Sequence, residues 1–106
     1  MQPDFNQMMR NVGKLQQAMQ KVQDELTTAI VEGSSGGGVV KVSCTGTMEF
    51  KSVKINKEAV DPADVETLED LVLMAIKDAC DKAKDMGQKK MSQAAGGLPL
   101  PPGLGF

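Results

Sequence analysis

The stretch Val31-Glu-Gly-Ser-Ser-Gly-Gly-Gly-Val-Val-Lys-Val-Ser-Cys-Thr45 decides the fold. Val40, Val42 and Cys44 alternate with Lys41, Ser43 and Thr45, the period-two pattern of a strand with one buried face. Gly33 to Gly38 supply a turn ahead of it, and the β-branched Thr27, Thr28, Ile30 and Val31 predict a strand beginning near residue 28. Two strands on a short glycine turn form an antiparallel hairpin. Gly46-Thr47 turns the chain again, and a third strand is expected over 48–55. Its apolar phase slips from even to odd positions between Phe50 and Val53, which predicts a β-bulge at Lys51 or Ser52. The product is a three-stranded antiparallel meander.

Helices flank the meander on both sides. Phe5, Met8, Val12, Leu15, Met19, Val22 and Leu26 follow one another in alternating steps of three and four, predicting a helix over 5–28 with a coiled-coil-like seam. Such a rod is about 36 Å long. Asp61-Pro62-Ala63-Asp64 announces the second helix: Asp61 is positioned to cap and Pro62 suits the first helical position. From Val65 to Ala79 the apolar arc is wide, so this half is expected to cover the sheet and a second surface together. Gly87 interrupts a sequence that remains helix-compatible, and continuation to about Gln93 is expected. Residues 1–95 then form one α+β domain of order α-β-β-β-α, and 96–106, rich in Pro and Gly, form an extended, flexible tail.

Composition narrows the function classes. The chain has 106 residues with 41% hydrophobic and 25% charged, one small domain with little aromatic mass, three Phe and no Trp or Tyr, to fill a core. Self-association is expected. No His is present, which removes the commonest general base and metal ligand together. Cys44 and Cys80 lack the spacing of zinc or redox pairs and are read as reduced core residues. No apolar run approaches a membrane span and residues 1–6 lack a signal layout, so a cytoplasmic location is expected.

The element order and a set of motifs resemble the YbaB/EbfC family of bacterial nucleoid-associated proteins. The similar pieces are Leu15-Gln-Gln-Ala-Met-Gln-Lys-Val22, the glycine turn, Val53-Lys-Ile55, Leu68-Glu-Asp-Leu-Val72, Lys89-Lys-Met91 and Leu100-Pro-Pro-Gly103, in register over nearly the whole chain. The resemblance implies a homodimer whose paired long helices project like the arms of tweezers around double-stranded DNA. It further implies a role in altering DNA conformation, organising the nucleoid and regulating genes.

The net charge of −2 is low for a nucleic-acid binder, but its distribution is uneven. Residues 58–70 hold six acids and no base, whereas 1–22, 41–57 and 77–90 are each net positive. Arg10, Lys14 and Lys21 fall within about 40° of one another on the helical wheel, opposite the apolar seam. Lys82 and Lys89 make a second stripe at i and i+7, with Lys84 and Lys90 nearby. These seven cations are the expected DNA contacts. With Arg10 the single arginine, phosphate contact with little base readout is expected.

Other chemistries fit poorly. Gly33 and Gly38 have the outer spacing of a phosphate loop, yet Val39-Val40 stand where Lys and Ser or Thr are required. The helical carboxylates are interleaved with lysines as on a solvated face, the methionines are read as packing residues, and no nucleophile has a base in reach, so no metal, cofactor or catalytic residue is expected. The competing reading is a homodimeric protein-interaction adaptor that presents its acidic 58–70 surface or its Pro-rich tail.

Overall fold

The computed structural model describes residues 5–94. The tail expected over 96–106 lies outside the described residues. The elements are α1 (Phe5–Thr28), β1 (Ile30–Ser35), a 3₁₀ turn (Gly36–Gly38), β2 (Val40–Thr45), β3 (Phe50–Ile55), a second 3₁₀ turn (Lys57–Ala59) and α2 (Val65–Ala94). The strands form one antiparallel sheet in the order β1-β2-β3, the α+β arrangement expected.

The loop between β1 and β2 needs its glycines. Gly36, Gly37 and Gly38 have φ of 60°, 73° and 99°, a run of left-handed backbone that residues with a Cβ rarely adopt. The hairpin is longer than the sequence pattern indicates, because Gly33 and Ser34 stay in the ladder opposite Val42 and Lys41. β1 in turn starts at Ile30, since Thr27 and Thr28 return their hydroxyls to the carbonyls of Gln23 and Glu25 and remain helical. Between β2 and β3, Ser43 faces Ser52 and Cys44 faces Phe50, which leaves Lys51 as the extra residue of a bulge.

α2 packs on β1 and β2. Its contact line is Ala75, Ala79 and Ala83, buried against Val31, Val40, Val42 and Cys44. The approach is close because nothing intervenes at Gly33, where a Cβ would collide with the Ala75 carbonyl oxygen and the Ala79 amide nitrogen. Polar clamps fix the same edge. The Ser34 amide donates to Asp78 Oδ2 at 2.9 Å, the Ser35 hydroxyl donates to the Leu71 carbonyl at 2.5 Å, and Lys82 Nζ reaches both the Glu32 carbonyl and Asp78, each at 3.0 Å. The Ser34 amide, followed by Lys82, holds the Asp78 carboxyl below its ordinary range. Burial, with Cys80 adding to it, pushes the Cys44 thiol up, which keeps it protonated in the core.

Two expectations are corrected. α2 is capped by Asp64, not Asp61: Asp64 accepts from the Thr67 amide at 3.3 Å and the Thr67 hydroxyl at 2.6 Å, while Asp61 closes the preceding turn onto the Ala63 amide at 2.9 Å. Phe5 and Phe50, whose spacing suggests core positions, are 71% and 45% exposed in the single chain. For Phe50 the reason is geometric. Ile55, Val53 and Phe50 share the core face with Val40, Val42 and Cys44. A helix about 10 Å across covers little more than two strands spaced about 4.8 Å apart, and the face of β3 stays bare.

α1 reaches this body only at its C-terminal end, where Val22 and Leu26 are buried. Gly46 donates its amide to the Leu26 carbonyl at 2.9 Å, satisfying an orphan acceptor of the last turn. α2 continues through Gly87 to Ala94 as expected, and runs antiparallel to α1. Leu26 lies by Gly87, Glu25 pairs with Lys90 at 3.3 Å, and Ala18 shares a cleft with Ala94.

Two outcomes follow from this packing. Gly33→Ala should lower unfolding stability by about 3 kcal/mol in urea titrations, whereas Gly13→Ala, with nothing within 4 Å of its Cβ, should raise it by up to about 1 kcal/mol. A depressed folded pKa at Asp78 stabilises the fold above the unfolded carboxylate value of about 3.9, and that contribution is lost as pH falls through the folded value. Melting curves of Asp78→Asn should therefore differ from the parent most at neutral pH and converge with it in acid.

Candidate nucleic-acid interface

The antiparallel helices build a two-helix arm that extends from the sheet. The arm's own cations fall into distinct settings. Arg10, Lys14, Lys21 and Lys84 are exposed and engage no carboxylate among the described residues. Lys89 makes an i,i+4 pair with Asp85 at 2.9 Å, both ends more than half exposed. An exposed pair of that kind contributes a few tenths of a kcal/mol, so a phosphate can displace it. Lys82 and Lys90 are committed to the fold: Lys82 clamps α2 to β1, and Lys90 braces α2 against Glu25 of α1.

Some of the expected contacts come together and others do not. Lys21 and Lys90 line a cleft with Gln93, and Gln93 also borders the depression that holds Lys89. Lys21, the last cation of the α1 stripe, thereby meets Lys90 and Gln93 of α2, with Lys89 in the adjoining depression. Lys84 lies on the other flank, at the rim of a groove of about 500 Å3 lined by Leu26, Met48, Ala83, Gly87 and Met91. That groove leads toward the uncovered face of β3. The arm thus has one basic flank and one apolar flank.

Sequence reasoning did not mark Gln93, which borders one cleft with Lys21 and Lys90 and a second depression with Lys89. Its signal was the i+4 spacing from Lys89 on a helix already expected to run to about Gln93. The apolar flank was also missed as a surface, because Met48, Phe50, Val53 and Met91 have the same residue types as a closed core.

Among the described residues there is no group of three metal-ligating side chains and no helix long and apolar enough to cross a membrane. What the arm offers is positive charge in a line on a rigid support, suited to a polyanion with regularly spaced charges.

Comparison with known proteins gives this geometry a family. A nucleoid-associated protein of Dictyoglomus thermophilum is 48% identical over 96 residues, covering 91% of this chain and 92% of its own length. One from Nitrobacter hamburgensis is 48% identical over 103 residues, covering 97% of each. The crystal structure of the uncharacterized protein HP0035 from Helicobacter pylori superposes with a TM-score of 0.75, over 90% of this chain and 100% of that one, at 20% identity; it shares the fold. The family model described as the YbaB/EbfC DNA-binding family matches residues 1–98, and the chain belongs to that family.

Proposed function

We propose that this protein is a homodimeric nucleoid-associated protein. It holds duplex DNA through the basic flanks of its arms and changes the path of the duplex without chemistry on it. The observation that carries the reading is the α1 stripe of exposed Arg10, Lys14 and Lys21, which engage no carboxylate among the described residues. Lysines contact phosphates at any sequence, so discrimination between duplexes is small and comes from how readily each bends. Nucleoid organisation, gene regulation and a location on the chromosome follow from that activity. The relatives' description as nucleoid-associated supports the same reading.

The second copy has a place to bind. Phe50, Val53 and Ile55 on β3 are each at least 41% exposed on the face they share with Val40, Val42 and Cys44, and Val72 and Ile76 of α2, packed against that same core, are half-buried. A contiguous apolar corner of this kind marks an interface. Pairing through it leaves the basic flanks of both arms open. The adaptor reading keeps the same homodimer and has it present the acidic 58–70 surface to a protein partner.

Fluorescence anisotropy of a labelled 30-base-pair duplex, on protein whose mass is known from sedimentation, tests the reading. With about four to six phosphates neutralised, log affinity should fall against log salt with a slope of about −4 to −5. Lys14→Glu with Lys21→Glu should weaken binding by about tenfold or more and flatten the slope, while leaving mass and helix content unchanged. Lys84→Glu, on the opposite flank, should change the slope little. Val53→Asp should sediment as a monomer. A salt-independent affinity would contradict the DNA reading, and no binding at low salt would favour the adaptor.

A further inference from the structure

Phe50 is the one aromatic side chain of the sheet, and its own chain does not close over it. It stands opposite Cys44 in the ladder of β2 and β3 and remains 45% exposed, although Cys44 is fully buried with its Sγ 4.0 Å from the Ala79 carbonyl oxygen. An aromatic ring that enters a core takes about 150–250 Å2 of surface out of water. Leaving this ring half out is unfavourable in a chain with only three Phe and no Trp or Tyr.

The face that carries this knob also carries a hollow. The groove of about 500 Å3 on the arm's apolar flank is lined by Leu26, Met48, Ala83, Gly87 and Met91. Ala83 belongs to the same buried cluster as Cys44, and Met48 packs against that cluster, so the groove and Phe50 border one core on the α2 side of the sheet. Phe50 itself does not line the groove. Gly87 adds no side chain to the wall, although a Cβ there would meet only Leu26 Cδ1, at 3.8 Å, in ordinary contact. Met48 holds a φ of 65°, left-handed backbone that a residue with a Cβ rarely adopts, and its side chain packs on the core at the groove. Two of the lining residues are methionines, unbranched and able to adapt to the shape of an occupant.

We infer that in the homodimer Phe50 of each copy inserts into this groove of the other, as a reciprocal pair of aromatic anchors. The inference rests on the proposed homodimer and goes beyond it by naming the knob and the hole. A knob and a hole on one face are self-complementary under a two-fold rotation, so the contact is made twice and the assembly closes at two copies. The second insertion takes place within an already joined pair, which favours a second copy over a foreign partner offering one knob. Charge agrees at the rim. Glu49 precedes Phe50 and is held only by an exposed pair with Lys51 at 2.9 Å, while Lys84 at the groove engages no carboxylate among the described residues. Insertion of Phe50 carries Glu49 with it, an acid for that unmatched cation, which adds selectivity for this partner more than affinity.

The test uses the full chain and reads self-association by sedimentation, with no DNA present. Phe50→Ala should raise the dimer dissociation constant by about thirtyfold or more, the loss typical of an interface anchor. Gly87→Leu removes no contact and puts a good helix former in place of glycine, so helix content should hold or rise. By filling the groove it should nevertheless weaken the dimer by about tenfold or more. A parent-like dimer in both variants would overturn the inference. Phe50→p-benzoylphenylalanine, irradiated in a mixture of ¹⁴N- and ¹⁵N-labelled protein, identifies the contact directly. Crosslinks from one chain to Met91 or 83–88 of another are expected. Crosslinks confined to one chain, or reaching another chain's β3 instead, in a protein that sediments as a dimer would overturn the inference and leave the homodimer standing. A monomeric parent protein would overturn both.

Discussion

The close approach of α2 to the backbone of β1 is the constraint on which the rest of the structure depends. A helix lies this near a strand only where both surfaces are small, and here Gly33 meets a stripe of Ala75, Ala79 and Ala83. The contact line sets the rotation of α2 about its own axis. With Ala79 turned to the sheet, Asp78 and Lys82 fall to the β1 side, where they close hydrogen bonds with Ser34 and Glu32. Val72 and Ile76 fall elsewhere on the helix, half-buried against the core. The same rotation carried along the helix puts Lys89 on the β1 flank and Met91 in the groove of the opposite flank. Separation of a basic surface from an apolar one is therefore a consequence of small residues near the middle of α2.

Charge placement resolves the tension between a net charge of −2 and a polyanionic partner. The acids of 58–70 sit in the connection to α2 and in its first turns, where Asp64 caps the helix and Glu66 complements its positive end. They are spent at the body of the molecule, far along the chain from the arm. Within the arm, Glu25 is matched by Lys90 and Asp85 by Lys89, while Arg10, Lys14, Lys21 and Lys84 engage no carboxylate among the described residues. At physiological ionic strength charges more than about 8 Å apart are largely screened, so a phosphate at the arm experiences the local excess and little of the distant acids.

Much of this was legible in the sequence because it rests on local rules. The heptad spacing marked α1 over 5–28, the alternation of Val40, Val42 and Cys44 marked the buried face of β2, and the phase slip after Phe50 marked the bulge at Lys51. The N-terminus of α2 was harder, since Asp61-Pro62 and Asp64 are both competent starts and only the backbone path selects Asp64. The roles of Lys82 and Lys90 were out of reach: their partners Glu32 and Glu25 are 50 and 65 positions away in sequence, and nothing local separates a clamp from a free cation. Hydrophobicity likewise cannot tell a residue buried within the chain from one buried between chains, which is why Phe5 and Phe50 looked like core.

The central claim is that the basic flank of the arm, and not the lysines of the sheet, meets the phosphate backbone. Lysine acetylation of the free protein and of its complex with a 30-base-pair duplex, read by mass spectrometry, addresses each side chain separately. The account predicts that Lys14, Lys21 and Lys89 are protected by DNA while Lys41, Lys51 and Lys54 react as in the free protein. Protection of the sheet lysines with Lys14 and Lys21 still reactive would contradict it.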